Sequence, residues 1–194
     1  DKTKNVLSRI KNASDILNVR VLFLDKNLGY GGGITEGLKE ASGEFIGWTH
    51  ADLQTDPLDI VRSFKILEKY PKKTFIKGKR QGRSFIENFL SHSMGLIESL
   101  IFQTHLSEVN AQPTIFPRKL INSYSELPND FMIDLYIFVK AKYKRLIIRR
   151  LEVDFPDREH GVSSWNRGFI DVMKFSLNTL KKSLLIRLDG NYKT

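Results

Sequence analysis

The sequence has 194 residues, 41% of them hydrophobic and 27% charged, which is enough for one substantial core and ordinary for a globular domain. It contains no cysteine, which excludes disulfides and thiolate metal sites, and no apolar run approaches the roughly 20 residues that a bilayer-spanning helix needs. The 31 Lys and Arg outnumber the 22 Asp and Glu, and the resulting +9 favours anionic partners: nucleic acid, phosphorylated substrates or an anionic membrane face.

Asp1 to Thr3 read as the first turn of a helix, with a strand expected upstream of it. Apolar residues at 6, 7, 10, 13, 16 and 17 carry the helical spacing on to Leu17. Val19 to Leu24 is a strand-length run, closed by the turn Asp25-Lys26-Asn27. Glycines at 29, 31, 32 and 33 then form a loop leading into a short helix over 34–41, which Gly43 closes. Phe45 to Thr49 predicts a buried strand ending at His50. Asp56 is placed to cap the next helix and Pro57 to open it, with Ile60, Val61, Phe64 and Leu67 as its buried face.

Thr74 to Lys77 predicts a short strand. A long helix from Ser84 to about Phe102 carries Phe85, Phe89, Leu96, Ile97, Leu100 and Ile101 on one side. The segment from Glu108 to Arg118, with two prolines, reads as irregular. Helices over Asp130–Lys142 and from Phe169 to about Leu185 flank a strand over Leu146–Phe155. Asp130 and Asp134, one helical turn apart, could face the cleft, but read more readily as a helix cap and an exposed acid. The last helix has a stripe of Phe169, Met173, Leu177, Leu180 and Leu184 beside Lys174, Lys181, Lys182 and Arg187. Such a stripe suits a core or dimer contact, or a helix lying on a membrane surface.

Alternating helices and strands predict an α/β fold with a mostly parallel sheet covered on both faces. In such sheets ligands bind beyond the carboxyl ends of the strands, where His50-Ala51-Asp52-Leu53-Gln54-Thr55-Asp56 lies. Asp52, Gln54 and Asp56 stand at alternate positions, so their side chains can converge on one cation or phosphate. The glycine loop fits neither phosphate-binding pattern tested. Counting from Gly29, the sixth position of a dinucleotide fingerprint is Ile34, and no Gly-Lys-Ser/Thr follows. A turn built for packing and a turn that admits a ligand to the backbone both remain open.

Taken together, Asn27-x-Gly29-Tyr30-Gly31-Gly32, Ala41-x-Gly43, a strand, Ala51-Asp52-Leu53-Gln54 and Asp56-Pro57 resemble the family 2 glycosyltransferases of the GT-A fold, most of all their dolichyl- or undecaprenyl-phosphate sugar transferase branch. Lys77-Gly78-Lys79-Arg80-x-x-Arg83 resembles the family's Gly-x-Arg-x-x-Arg segment. Arg158-x-x-Gly161-x-Ser163-Ser164 resembles its Arg-x-x-Gly-x-Ser-Lys loop. Asp1-Lys2-Thr3 matches the end of the family's Asp-Gly-Ser-x-Asp-x-Thr segment, which implies a first strand upstream. The resemblance implies a catalytic GT-A domain over 1–165 that lacks its first strand, followed by an amphipathic helix and tail over 166–194.

It further implies an inverting hexosyltransferase. The donor would be a nucleotide-diphosphate sugar and the acceptor a polyprenyl phosphate or a cell-surface glycan precursor. A divalent cation, Mg2+ or Mn2+, would sit on Asp52 and Gln54 with His50 assisting. The implied donor contacts are Asn27, Gly29, Gly33, Ala51, Asp52, Arg80, Arg83, Arg158, Ser163 and Ser164, and Glu108 is the implied base, with a solvated carboxylate as its plainer reading. The implied location is the cytoplasm, at the membrane face where such acceptors reside; a homo-oligomer stays open, and nucleic acid is not implied as a partner. Two departures from the family pattern matter. His50 replaces the first acid of the metal motif, which tilts the site toward manganese because imidazole suits later transition metals. Ser164 replaces a lysine. Both also suit a catalytically silent nucleotide- or glycan-binding domain.

Overall fold

The computed structural model describes residues 5–8, 20–52, 54–71, 73–156 and 169–194. In chain order its elements are α1 (Gly29–Glu40), β1 (Phe45–Trp48), α2 (Leu58–Lys69), β2 (Thr74–Gln81), α3 (Phe85–Phe102), β3 (Thr114–Pro117), α4 (Met132–Tyr143), β4 (Ile147–Asp154) and α5 (Phe169–Asp189). The strands form one sheet in the order β1-β3-β2-β4. β3 runs antiparallel to both β1 and β2, whereas β2 and β4 are parallel. Three of the four described strands therefore point the same way, and the antiparallel β3 sits between two of them.

The alternation of side chains along β2 separates two apolar layers. Phe75 faces a large core with Leu38 of α1, Phe116 of β3 and Ile133, Ile137 and Phe138 of α4. Ile76, the next residue, faces a smaller cluster with Ile115 and Leu67 of α2. The rings of Phe75, Phe116 and Phe138 stack at centroid distances of 5.9 and 5.6 Å. Helices thus cover both faces, as the alternating pattern predicts.

The strands at 45–49 and 146–155, the helix opened by Pro57, and the helices at 84–102, 130–142 and 169–185 correspond to observed elements. Four expectations fail. Residues 20–24 form no strand: Leu22, Phe23 and Leu24 are exposed, and no described strand lies alongside to complete a ladder. The segment read as irregular holds β3, whose four residues, Thr114–Pro117, are too few to show a period. β2 continues to Gln81, so Gly78, Lys79 and Arg80 belong to a strand.

The fourth concerns helix faces. α2 buries Asp59, Ser63 and Leu67 and exposes Val61 and Phe64. α3 buries Gly95, Glu98 and Phe102, leaving Phe85, Phe89, Leu96, Ile97 and Leu100 exposed. Small residues decide this. A Cβ on Gly95 would come 3.0 Å from Leu106 O, and Ser99 Oγ bonds both the N–H and the carbonyl of Leu106. The short side chains let the helix close on that loop, and the larger apolar side is turned out. On α5, Met173, Leu177 and Leu184 are likewise exposed. No described helix is long and apolar enough to cross a membrane. The amino-terminal helix read at 6–17 lies mostly outside the described residues.

Candidate functional site

The glycines read as a loop before a helix over 34–41 are instead the first turn of α1, which begins at Gly29. Asn27 Oδ1 accepts the Gly29 N–H at 2.8 Å, and Gly29 takes the left-handed φ of +79°. The carbonyl of Asn129 then accepts from both Gly31 N and Gly32 N, at 2.9 and 3.1 Å. A Cβ on Gly31 would meet Pro128 O at 2.1 Å, so the glycines there admit a neighbouring backbone. Nothing lies within 4 Å of the Cβ position of Gly33, which leaves that side of the turn open.

β1, β2 and β4 all end at one edge of the sheet, and the antiparallel β3 begins there. That topology brings residues 49–52 and 54–55, Arg80, the 155–156 segment, Glu108 and Gln112 to one place. A cleft of about 380 Å³ opens at the edge, lined by Tyr30, Ile34, Trp48, Thr49, His50, Ala51, Asp52 and Gln112. His50 Nδ1 stands 4.0 Å from Asp52 Oδ1, both side chains partly exposed. Asp52 Oδ1 also accepts the Gln54 N–H at 3.2 Å, which orders the loop.

Gln54 is 8% exposed and donates through Nε2 to Pro156 O at 3.4 Å. Two neighbouring donors at about 2.1 Å on a tetrahedral or octahedral ion lie about 3.0–3.4 Å apart, so the His50 and Asp52 pair, at 4.0 Å, would have to close by roughly 0.6–1 Å to share one. No third His, Cys, Asp or Glu joins them among the described residues. Further positions would fall to oxygens of a ligand. Asp56 is engaged elsewhere: it caps the Leu58 N–H at 2.9 Å and pairs with Arg62 at 2.9 Å.

The Phe155 ring joins this loop to a basic flank. Its centroid is 5.8 Å from that of His50 and 5.5 Å from the Arg80 guanidinium carbon. Arg80 Nε donates to Glu108 Oε2 at 2.7 Å, and both side chains are 12% exposed. Glu108 is therefore not a solvated carboxylate. Arg83 donates to Ser91 Oγ at 2.7 Å, and burial, then nearby Arg80, lowers its pKa. Arg158, Ser163 and Ser164 lie outside the described residues.

Behind the cleft lies a buried polar network that sequence reading missed. Lys77 and Asp134 pair at 2.9 Å with no exposed side-chain surface, so Asp134 is not an exposed acid. Register explains the meeting: Trp48, Thr114, Lys77 and Arg150 are successive partners across all four strands and share one face. Lys77 thus points at α4, where it meets Asp134. Asp130, by contrast, caps the Met132 N–H at 3.0 Å as expected and also pairs with Lys182. Tyr30, Trp48, Gln112 and Phe155 are the site residues not foreseen. The signal for the first three was position alone, since each sits inside or beside a motif that was read for its neighbours.

Residues 1–123 match the family model described as Glycosyl transferase family 2. No curated protein matches the chain. Among solved structures, the chain is similar to glucosyl-3-phosphoglycerate synthase from Mycobacterium tuberculosis in complex with uridine-diphosphate, at TM-score 0.61 and 16% identity over 96% of this chain and 65% of that one. The same enzyme with Mn2+, uridine-diphosphate and glucosyl-3-phosphoglycerate gives TM-score 0.60 at 14% identity, covering 96% and 64%. Its complex with phosphoglyceric acid gives 0.57 at 14% identity, with the same coverage. These likenesses establish the fold as GT-A, and the chain spans 64 to 65% of the length of these structures.

Proposed function

We propose, because this chain belongs to glycosyl transferase family 2, that it moves a sugar from a nucleotide-diphosphate donor to an acceptor oxygen with inversion at the anomeric carbon. The observation that carries this is the cleft beyond β1, with His50 and Asp52 at its edge and Arg80 and Glu108 close by across Phe155.

In this reading Asp52 and Gln54, with His50 assisting, hold a divalent cation, preferably Mn2+. When bound, the cation neutralises charge on the departing diphosphate. The solved relatives hold Mn2+ with UDP or UDP-glucose, which supports that donor class. Arg80 and Arg83 offer guanidinium groups to phosphate oxygens, joined by Arg158, Ser163 and Ser164. Asn27, Gly29, Gly33 and Ala51 shape the backbone beside the donor. Glu108, oriented by Arg80, takes the proton of an acceptor hydroxyl.

The acceptor carries phosphate, in keeping with the +9 charge and with the phosphoglyceric acid bound by the relative. A polyprenyl phosphate or a glycan precursor on a membrane surface belongs to that class. A silent binding domain is the second reading, favoured by His50 in place of an acid.

Calorimetric titration with UDP, GDP, UDP-glucose and GDP-mannose, with and without Mn2+, tests this. Mn2+-dependent binding of one pair, lost in Asp52→Ala, and turnover of the sugar conjugate are expected. Absence of binding under every condition rejects the transferase reading; binding without turnover selects the silent domain.

A further inference from the structure

Hydrogen-bond polarity runs in one direction from the buried core to the cleft. Lys77 Nζ can only donate, and it donates to Thr114 Oγ1 at 2.7 Å and to Asp134 Oδ1 at 2.9 Å. Asp134 Oδ2 accepts the Tyr30 hydroxyl at 3.0 Å. Burial first, and then Asp134, push the Tyr30 phenol far above its ordinary range, so it keeps its proton and spends it on that carboxylate. The Tyr30 oxygen is left to accept, and Gln112 Nε2 donates to it at 2.5 Å.

The orientation of the Gln112 amide follows. With nitrogen fixed on Tyr30, the carbonyl oxygen is turned away from the network. Gln112 is 2% exposed and lines the cleft; its Oε1 has no hydrogen-bond partner and almost no surface of its own, so a ligand hydroxyl reaches it only once the side chains over it shift. The Trp48 indole N–H, also on the cleft wall, is buried without a well-formed hydrogen bond, although it lies close enough to Tyr30 to favour the ionised phenol slightly. Buried polar atoms in native proteins are nearly always paired, and an acceptor locked in one orientation beside a cleft calls for a donor from the ligand.

We propose that Gln112 Oε1 is the acceptor for one hydroxyl of the donor's sugar, and that Tyr30, held by Asp134 and Lys77, is the positioning residue that fixes it. This rests on the transferase reading. The sugar is singled out over the base because the cleft wall that holds Gln112 also holds His50 and Asp52. The sugar is bonded directly to the diphosphate, whereas the base is separated from it by the ribose. Tyr30, Trp48 and Ile34 supply apolar surface for the ring's C–H face. A site that hydrogen-bonds a hydroxyl discriminates strongly against an analogue lacking it, because its own group is left unpaired.

The test uses the pair that binds in the titration above, UDP with UDP-glucose or GDP with GDP-mannose, in Mn2+. Wild type, Gln112→Met and Tyr30→Phe are titrated with the bare nucleotide, the nucleotide sugar, and the set of analogues in which each sugar hydroxyl in turn is replaced by fluorine, which cannot donate. Wild type is expected to lose about 10- to 100-fold in affinity at one ring position. Gln112→Met should bind the bare nucleotide within about threefold of wild type, a check that the site is folded, and lose that discrimination. Tyr30→Phe frees the amide to turn and should lose it in part. Equal weakening of nucleotide and nucleotide sugar in Gln112→Met, or fluorinated analogues that all bind wild type like the parent, overturns the assignment while leaving the transferase reading intact. If wild type binds no nucleotide sugar, both fall.

Discussion

Lys77 Nζ lies 2.9 Å from Asp134 Oδ1, with both side chains wholly enclosed between β2 and α4. Burial pulls the lysine's pKa down and Asp134 partly restores it. Two buried charges that satisfy each other become one uncompensated charge when either is removed. Lys77→Met or Asp134→Asn should each cost about 3–5 kcal/mol in urea denaturation. The double variant Lys77→Met with Asp134→Leu should recover part of that loss, the remainder reflecting the Tyr30 hydroxyl left without its acceptor. Single variants that cost less than about 1 kcal/mol would show that the pair is not held together as described.

Glu98 on α3 is 4% exposed, and burial pushes its carboxyl up from 4.5 to about 7. Between those values the folded protein holds a proton that the unfolded chain has released, so ν_N exceeds ν_U and stability falls as pH rises. The contribution is complete below pH 4.5 and is lost by pH 7 and above, roughly 3 kcal/mol at about 1.36 kcal/mol per pH unit. Glu98→Gln should differ little in stability from wild type near pH 4.5 and exceed it by about 3 kcal/mol at pH 8. Urea unfolding across that range measures it, and a pH-independent difference would contradict the buried neutral carboxyl.

The glycines of α1 divide by what surrounds them. At Gly31 an added Cβ would meet Pro128 O at 2.1 Å and Asp130 O at 2.7 Å, both backbone atoms. Gly31→Ala should cost about 1–3 kcal/mol or more in thermal unfolding. Gly33 is helical and open, so Gly33→Ala should gain about 0.5–1 kcal/mol. If donor phosphate uses that open face, the same variant should bind nucleotide more weakly. A stable variant with unchanged binding would remove Gly33 from the site.

Glu108 and Arg80 can be separated by kinetics. Glu108→Gln keeps an oxygen for Arg80 Nε but takes up no proton. As the base, its loss should lower kcat by about 10²- to 10⁴-fold with KM little changed. A kcat within threefold of wild type would return Glu108 to an anchor for Arg80. Arg80→Lys, which loses the forked donor set, should raise KM for the donor instead.

Much of the architecture was legible in local pattern. Asp56 and Pro57 marked the start of α2, and Ser84 with Glu87 forms a capping box at the start of α3, where the helix was expected. The HADLQTD segment was readable as a site because a short apolar strand ended where alternating polar residues began. What could not be read were the helix faces. On α2 and α3 the apolar count pointed one way, while Ser63, Gly95 and Ser99 determined which side fits closest to the rest of the fold.

The sequence by itself pointed to the family through its ordered motifs, and it located most helices, the strands β1, β2 and β4, and the His50 and Asp52 loop, because motifs, caps and turns are set by residues near one another in the chain. Only the tertiary structure decided that Lys77 meets Asp134 across 57 positions and that Gln112 meets Tyr30 across 82. Those pairings depend on the register of β3 between β1 and β2, in a strand of four residues that carries too little pattern to announce itself. The polarity of the cleft wall is fixed by a lysine with no exposed surface, and burial and hydrogen-bond direction belong to the packed chain rather than to any segment of it.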